Sequence, residues 1–302
     1  MRKSLRNILS FFVAKFFIIT GFVKRANKNA LNGNYILSIY FHNPEQQLFI
    51  NCVKWLQKNG YSFIDIEALK CILKGEMNFP KGAVIITVDD GWRNNKNNIV
   101  SIANQYQIPV AIFIATQPVE DGTAYWWSYI NAATQRGIIN YPVESLKKMS
   151  DDERSSIVEN LQTKMEPLNR EALSINEVQE IAKSPYVTIG SHTVSHPILT
   201  KCSDEKSLFE ISVSKNKIEN WLNISVDSFA FPNGDFSERE IQYLKEFGYQ
   251  LAFTTQPKYL TESIIKEPYT LPRFEVLENV SFAENICRMS GVWFQRSLLK
   301  RR

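Results

Sequence analysis

An α/β fold organised on a parallel sheet is what this sequence predicts, and three observations carry the prediction. Short runs of β-branched and apolar residues alternate with longer amphipathic stretches through the body of the chain, the pattern that parallel strands need for their crossover helices. Several runs break off in chemically capable residues, most clearly Val88-Asp89-Asp90-Gly91 and Gly190-Ser191-His192. With 302 residues, 44% of them hydrophobic, the chain can bury one large core. An open sheet and a barrel satisfy the alternation equally.

The elements follow in order. From Ile8 to Val23 the chain is almost wholly apolar, with Lys15 inside it and Arg2, Lys3, Arg6 and Lys24, Arg25, Lys28 on its flanks. That run is short for a bilayer span and Lys15 is costly at its centre. It is expected to form an amphipathic interfacial helix, with an uncleaved signal anchor as the second reading and a buried helix of the main domain as a third. Tyr35 to Phe41 is a strand that delivers His42, and Pro44 to Lys58 an amphipathic helix stopped by Gly60. Ala83 to Val88 is a strand buried on both faces, Asn94 to Gln105 a helix, and Pro109 to Ile114 a further strand. A polar, helical stretch over about 120–173 reads as an insertion, with Ser150 and Glu153 at capping-box spacing. Ser174 and Glu177 cap the next helix, Tyr186 to Gly190 is a strand, and Asp204 to Leu222 a long helix. Ser228 to Phe231 is a strand broken by Pro232-Asn233-Gly234, Ser237 and Glu240 cap a helix, and Gln250 to Thr254 is the last strand. The expected organisation is a basic membrane-associating segment over 1–30, a main domain over 31–287 with the insertion at about 120–173, and a basic tail over 288–302.

The net charge of +4 is unevenly spread. Residues 1–30 hold 7 of the basic side chains and residues 288–302 hold 5, neither segment has an acid, and the body is left with 23 basic against 31 acidic residues. No clustered basic face remains there for nucleic acid. Cys52, Cys71, Cys202 and Cys287 are scattered without metal-ligand spacing and read as buried thiols.

Two adjacent carboxylates at a strand end, Asp89 and Asp90, repel each other unless a cation or a basic residue divides their roles. A plain polar turn is the competing reading. His192 and His196 stand at i and i+4 and would face the same way if the segment turned helically. They are two of only three histidines. Two imidazoles and one carboxylate leave coordination positions open, the donor set of hydrolytic zinc and facial-triad iron sites.

Thr87-Val88-Asp89-Asp90-Gly91, His192-Thr193-Val194-Ser195-His196 and Phe229-Ala230-Phe231-Pro232-Asn233-Gly234 together resemble the three motifs of the polysaccharide deacetylase family, metal-dependent carbohydrate esterases and amidases. The resemblance runs from about Tyr35 to Val276. It implies a distorted (β/α) barrel with fewer than eight regular strands and a site at their C-terminal ends. It implies Asp89 as the base that activates metal-bound water, and Asp90, His192 and His196 as ligands of a divalent metal. Zinc is first by ligand type, with nickel, cobalt or iron also suited. Asn233 would offer a backbone N–H to the oxyanion, and Arg273, in Leu271-Pro272-Arg273, would approach and orient Asp89. Two departures stand out: Ala230 occupies the position of a family arginine, and no histidine follows His196 to act as the late general acid. His42 is the histidine left for that role. Trp92, Trp126, Trp127 and Pro232 are candidates for contact with sugar. The resulting expectation is deacetylation of N-acetylated amino sugars in a polysaccharide or lipid-linked glycan, by a membrane-associated protein of the bacterial envelope whose side of the membrane is open. A non-catalytic glycan-binding protein and a small-molecule amidase on the same fold are the alternatives.

Overall fold

Eight parallel strands curl into one sheet in the computed structural model of the protein, which describes residues 5–295. They are β1 (Leu37–Phe41), β2 (Ser62–Phe63), β3 (Ala83–Val88), β4 (Val110–Ile114), β5 (Val187–Ser191), β6 (Ser228–Ala230), β7 (Leu251–Phe253) and β8 (Phe274–Glu275). Their order is β7-β6-β5-β4-β3-β1-β8, with β2 beside β3. β2 and β8 have two residues each, so the regular strands number fewer than eight. The stretch before β8 draws the two edges together. Leu271 bridges Phe253 and accepts from the Thr254 N–H at 2.9 Å, while Phe274 pairs with Ile39 of β1. The result is a distorted barrel closed by one short, bent segment.

Period-two alternation divides the strand side chains between two cores. Leu37, Ile39, Val84, Ile86, Val88, Ile112 and Ile114 pack outward under the helices. Ala83, Ile85, Ala111, Phe113, Ala230 and Phe253 fill the other face, the lumen, with Leu69 and Ile72 in the same cluster. Gly190 is required there, because a Cβ would lie 2.4 Å from the Phe113 ring. The lumen parity continues upward through Tyr40 to His42, Thr87 to Asp89 and Gly190 to His192, so one rule of strand geometry collects the chemical residues at one mouth.

The helices in chain order are α1 (Leu5–Ile19), α2 (Phe22–Leu31), α3 (Gln46–Lys58), α4 (Ile66–Leu73), α5 (Ser101–Tyr106), α6 (Thr116–Asp121), α7 (Trp126–Gln135), α8 (Val143–Leu146), α9 (Asp151–Lys164), α10 (Ile175–Ile181), α11 (Asp204–Leu222), α12 (Glu238–Glu246) and α13 (Phe282–Met289). Capping boxes start α9, α10 and α12 at the serines the spacing indicates. α7, α8 and α9 enclose a small core of their own around Ile130, Leu146 and Leu161. The expected helix over Asn94 to Gln105 begins as a wide turn, Lys96–Val100, before α5. β2, α4, β8 and α13 were not anticipated, since two-residue strands and eight-residue helices leave little periodicity to read.

The N-terminal apolar run forms two helices rather than one. Gly21, at φ 82, breaks it. Ala14 and Phe17 of α1 pack with Ala283 and Cys287 of α13 and with Val292 and Trp293. Of the basic tail, residues 288–295 are described, and Arg288 is buried against Glu284 at 3.0 Å. Arg296 to Arg302 lie outside the described residues, as do Arg2 and Lys3. Three of the four cysteines, Cys52, Cys202 and Cys287, are buried.

Candidate metal centre and active site

β3 ends at Val88, and the chain then turns sharply through Asp90 at φ 75 and Gly91 at φ 81. Gly91 has no alternative at that turn, since a Cβ would meet Ile114 Cγ2 at 2.7 Å in a backbone conformation side chains avoid. The turn sends the two carboxylates to different partners. Asp89 is buried and held on both oxygens by the fully buried Arg273: Nη1 donates to Oδ1 and Nη2 to Oδ2, each at 2.8 Å. Arg273 is itself fixed, donating to Thr87 Oγ1 at 2.8 Å and the Thr254 carbonyl at 3.0 Å, with its guanidinium 4.4 Å from the Tyr40 ring centre. Burial alone would raise the Asp89 carboxyl, but Arg273 and the nearby imidazoles outweigh it and hold the group below the usual carboxylate range.

Asp90 faces the histidines. Its Oδ1 lies 3.4 Å from His192 Nε2 and 3.2 Å from His196 Nε2. Oδ2 accepts from the Trp92 indole N–H at 2.8 Å, and the Asp90 carbonyl accepts from the Tyr125 hydroxyl at 2.8 Å. His192 leaves β5 on the lumen side, its Nδ1 2.7 Å from the Ala230 carbonyl oxygen. A carbonyl only accepts, so Nδ1 carries the proton and Nε2 presents a lone pair to a carboxylate. In the neutral ring, acceptor thus faces acceptor.

A cation resolves this arrangement. One donor atom from each of Asp90, His192 and His196 lies within 4.8 Å of the other two. The 3.2 and 3.4 Å separations match the edge of a tetrahedron with metal–ligand bonds of about 2.1 Å, which is roughly 3.4 Å. The residues therefore fit a divalent metal. The Ala230 carbonyl oxygen on Nδ1 is the kind of outer partner that fixes the ring of a ligating histidine.

A helical turn, the condition on which spacing alone would align the two histidines, is absent. Thr193 at φ 71 and His196 at φ 57 curl the segment as an irregular loop, which brings the rings to 4.7 Å at 71°. Left-handed backbone at a β-branched threonine is strained, and a neighbour holds it in place. Glu210 of α11, fully buried, accepts from the Val194 and Ser195 N–H groups at 2.7 and 2.8 Å and from the Ser195 hydroxyl at 2.6 Å. Sequence reasoning missed this residue. The available signal was a carboxylate on the inward face of α11, in step with Ser207, Ile211, Ser214 and Ile218. Glu210→Ala leaves two buried N–H groups unpaired and frees the loop, so metal affinity measured by calorimetry is expected to fall about 10- to 100-fold. Unchanged affinity would show that the loop holds its own shape.

Around these groups opens a cavity of about 690 Å³, which His42, Asp89, Asp90, Trp92, Trp126, Trp127, His192, His196 and Asn233 all line. Pro232 and Arg273 are the exceptions: both are buried and neither lines the cavity, Arg273 reaching it only through Asp89 and Pro232 opening a short helical turn. Asn233, at φ 59, sits on the rim. Trp127 packs edge-on against His196 at 4.6 Å, and the Trp126 indole N–H donates to the His196 carbonyl at 3.1 Å. The three tryptophans thus touch Asp90 or His196 as well as lining the cavity. His42 faces an acidic wall of Glu45, Glu275 and Glu278. Burial would lower its pKa, but Asp90, Asp89, Glu275 and Glu278 outweigh burial and raise it.

A sequence model of the polysaccharide deacetylase family matches residues 76–252, more than half of the chain. YxkH of Bacillus subtilis (strain 168), a protein that carries the family's name, is 19% identical over 205 residues, 68% of this chain and 56% of that protein. The poly-β-1,6-N-acetyl-D-glucosamine N-deacetylase of Escherichia coli (strain K12) is 21% identical over 258 residues, 76% of this chain and 33% of that protein. The chain therefore spans about half and a third of the length of these two relatives. Among solved structures, the Streptococcus pyogenes deacetylase PplD in complex with acetate superposes with a TM-score of 0.61 at 18% identity, over 85% of this chain and 98% of that one. IcaB from Ammonifex degensii gives 0.61 at 15% identity, over 87% and 97%. These likenesses share the barrel, and the match over 76–252 establishes that the chain belongs to the polysaccharide deacetylase family.

Proposed function

We propose that this protein is a metal-dependent hydrolase that removes N-acetyl groups from the amino sugars of a polysaccharide or lipid-linked glycan. The observation that carries the reading is the division of labour between adjacent carboxylates. Asp90 meets the Nε2 atoms of two imidazoles, while Asp89 is clamped by a buried arginine and lines the same cavity. A bound divalent metal supplies Lewis acidity toward water and the acetyl carbonyl; zinc suits the donor set, and nickel, cobalt or iron could replace it.

The chain's own residues supply the rest. Asp89, kept ionised by Arg273, takes the proton of the attacking water. The Asn233 backbone N–H, on the cavity rim, stabilises the developing oxyanion. His42, on the cavity wall beside Glu275 and Glu278, gives its proton to the departing amine. Trp126 and Trp127 offer aromatic faces to the sugar. The name of the Escherichia coli relative, an N-deacetylase of a poly-N-acetylglucosamine, supports amide over ester cleavage here. A pure glycan binder would have no use for a carboxylate held ionised beside the metal ligands. We place the protein at a membrane surface of the bacterial envelope, on the strength of its basic, aromatic N-terminal segment.

The test is acetate release from N-acetylated and O-acetylated glycans by chelator-treated and metal-reloaded protein. Release from the N-acetylated substrates alone, lost on chelation and restored by metal, is expected. Release from O-acetylated substrates alone would move the reading to an esterase.

A further inference from the structure

α1 carries an apolar stripe that none of the described residues covers. Leu5, Leu9, Phe12, Phe16 and Ile19 recur at alternating four- and three-residue spacing along one side, and are 87, 68, 64, 53 and 80% exposed. The opposite side, Ala14 and Phe17, is buried on α13. The stripe is therefore the outward face of a helix already fixed to the domain. Exposed Arg6 and Lys15 border it on either side, α2 adds exposed Lys24, Arg25 and Lys28, and no acidic residue precedes Glu45. That charge pattern suits anionic headgroups, toward which basic side chains at the edges of an apolar stripe can reach. It suits a second copy poorly, since a two-fold contact would set cations against cations.

The helix lies in the surface rather than across it. No single described helix is long and apolar enough to cross a bilayer, and although α1 and α2 together pass on length and composition, they are bent by 58°. α2 is also pinned to the barrel: the Tyr35 hydroxyl donates to the Ala26 carbonyl at 2.6 Å, Asn27 pairs with Asn59 at 3.0 Å, and the Gly82 N–H donates to the Ala30 carbonyl at 2.8 Å.

The first turns of α1 also touch the active-site rim. Asn7 Nδ2 donates to the Asn279 carbonyl at 3.1 Å. The preceding residue, Glu278, lines the cavity and accepts from the Asn43 N–H, next to His42, at 3.0 Å. On the other side Asn285 of α13 brackets the Leu277 backbone, at 3.1 Å to its N–H and 2.8 Å to its carbonyl. The stripe, α13 and the 277–279 edge of the cavity are thus one connected piece.

We propose that the α1 stripe beds the protein on an anionic bilayer, which sets the 277–279 edge of the cavity at the headgroups and presents the site to acetylated saccharide held at that surface. The substrate part rests on the deacetylase reading, and the docking part does not. The test uses the full chain with vesicles of phosphatidylcholine alone or mixed with phosphatidylglycerol. Wild type is expected to sediment with the mixed vesicles, less so as salt rises, and Phe12→Glu and Phe16→Glu to weaken this by about tenfold or more each with unchanged thermal unfolding. For the pose, an environment-sensitive label is placed at Asn279→Cys or at Phe209→Cys, in a Cys71→Ser background. Phe209 is on α11, which follows β5, across the barrel from β1 and β8. Brominated lipids are expected to quench the label at 279 and spare that at 209. Equal quenching, no vesicle binding, or a dimer in solution dispersed by Phe12→Glu would each overturn the proposal. Since no readout uses catalysis, vesicle binding in this pose without acetate release from soluble oligomers would uphold the docking and count against the deacetylase reading alone.

Discussion

Arg273→Met is expected to cost about 3–5 kcal/mol of folding stability and to abolish acetate release, the largest loss expected from any single substitution here. The reason is the burial of both partners. Arg273 is fully buried and Asp89 nearly so, and removing one member of a buried pair leaves the other charge uncompensated. Lysine would not rescue the site, because one ammonium cannot reproduce the two parallel bonds to Asp89 together with the bonds to Thr87 and the Thr254 carbonyl. The double variant Asp89→Asn/Arg273→Met separates the two consequences. It removes both charges, so much of the stability should return while activity stays lost. Denaturant melts of the two singles and the double give the coupling directly. Additive losses would mean that the pair is no more than two independent polar contacts.

His42→Ala is expected to lower acetate release from N-acetylglucosamine oligomers by about 10²- to 10⁴-fold and to leave hydrolysis of p-nitrophenyl acetate little changed. An amine cannot depart from a tetrahedral intermediate without a proton, whereas nitrophenolate needs none. No histidine follows His196 in the chain, and His42 lines the same cavity as Asp89, His192 and His196. Equal losses on both substrates would make His42 a structural rim residue and send the search for the acid elsewhere.

These two residues also show what could be read in the chain beforehand. His42 and Asp89 were legible because each ends a strand of clear period, and parity then carries both to the lumen mouth. Arg273 was visible only through the resemblance of Leu271-Pro272-Arg273. β8 is two residues long, and nothing local tells that this segment would close the barrel and lie against Asp89. The histidine pair stands at the end of β5 as the sequence indicates, but the helical turn that was the condition for its shared facing does not form. The loop depends on Glu210 of α11, a contact between residues far apart in the chain that no local periodicity encodes. Trp92 reads as an aromatic face for sugar, yet its indole N–H is spent on Asp90, a direction that only the folded turn at Gly91 sets. The N-terminal run was recognisable as amphipathic, but its division at Gly21 and its seat on α13 required the tertiary structure.

The most direct test of the account is acetate release from N-acetylglucosamine oligomers by metal-loaded wild type and Asp89→Asn, with bound metal measured on the same samples. The account predicts equal metal content and a fall in rate of about 10²- to 10⁴-fold in the variant. A wild type that binds metal and oligomer but releases no more acetate than Asp89→Asn would contradict it, and would leave a glycan-binding protein on a deacetylase fold.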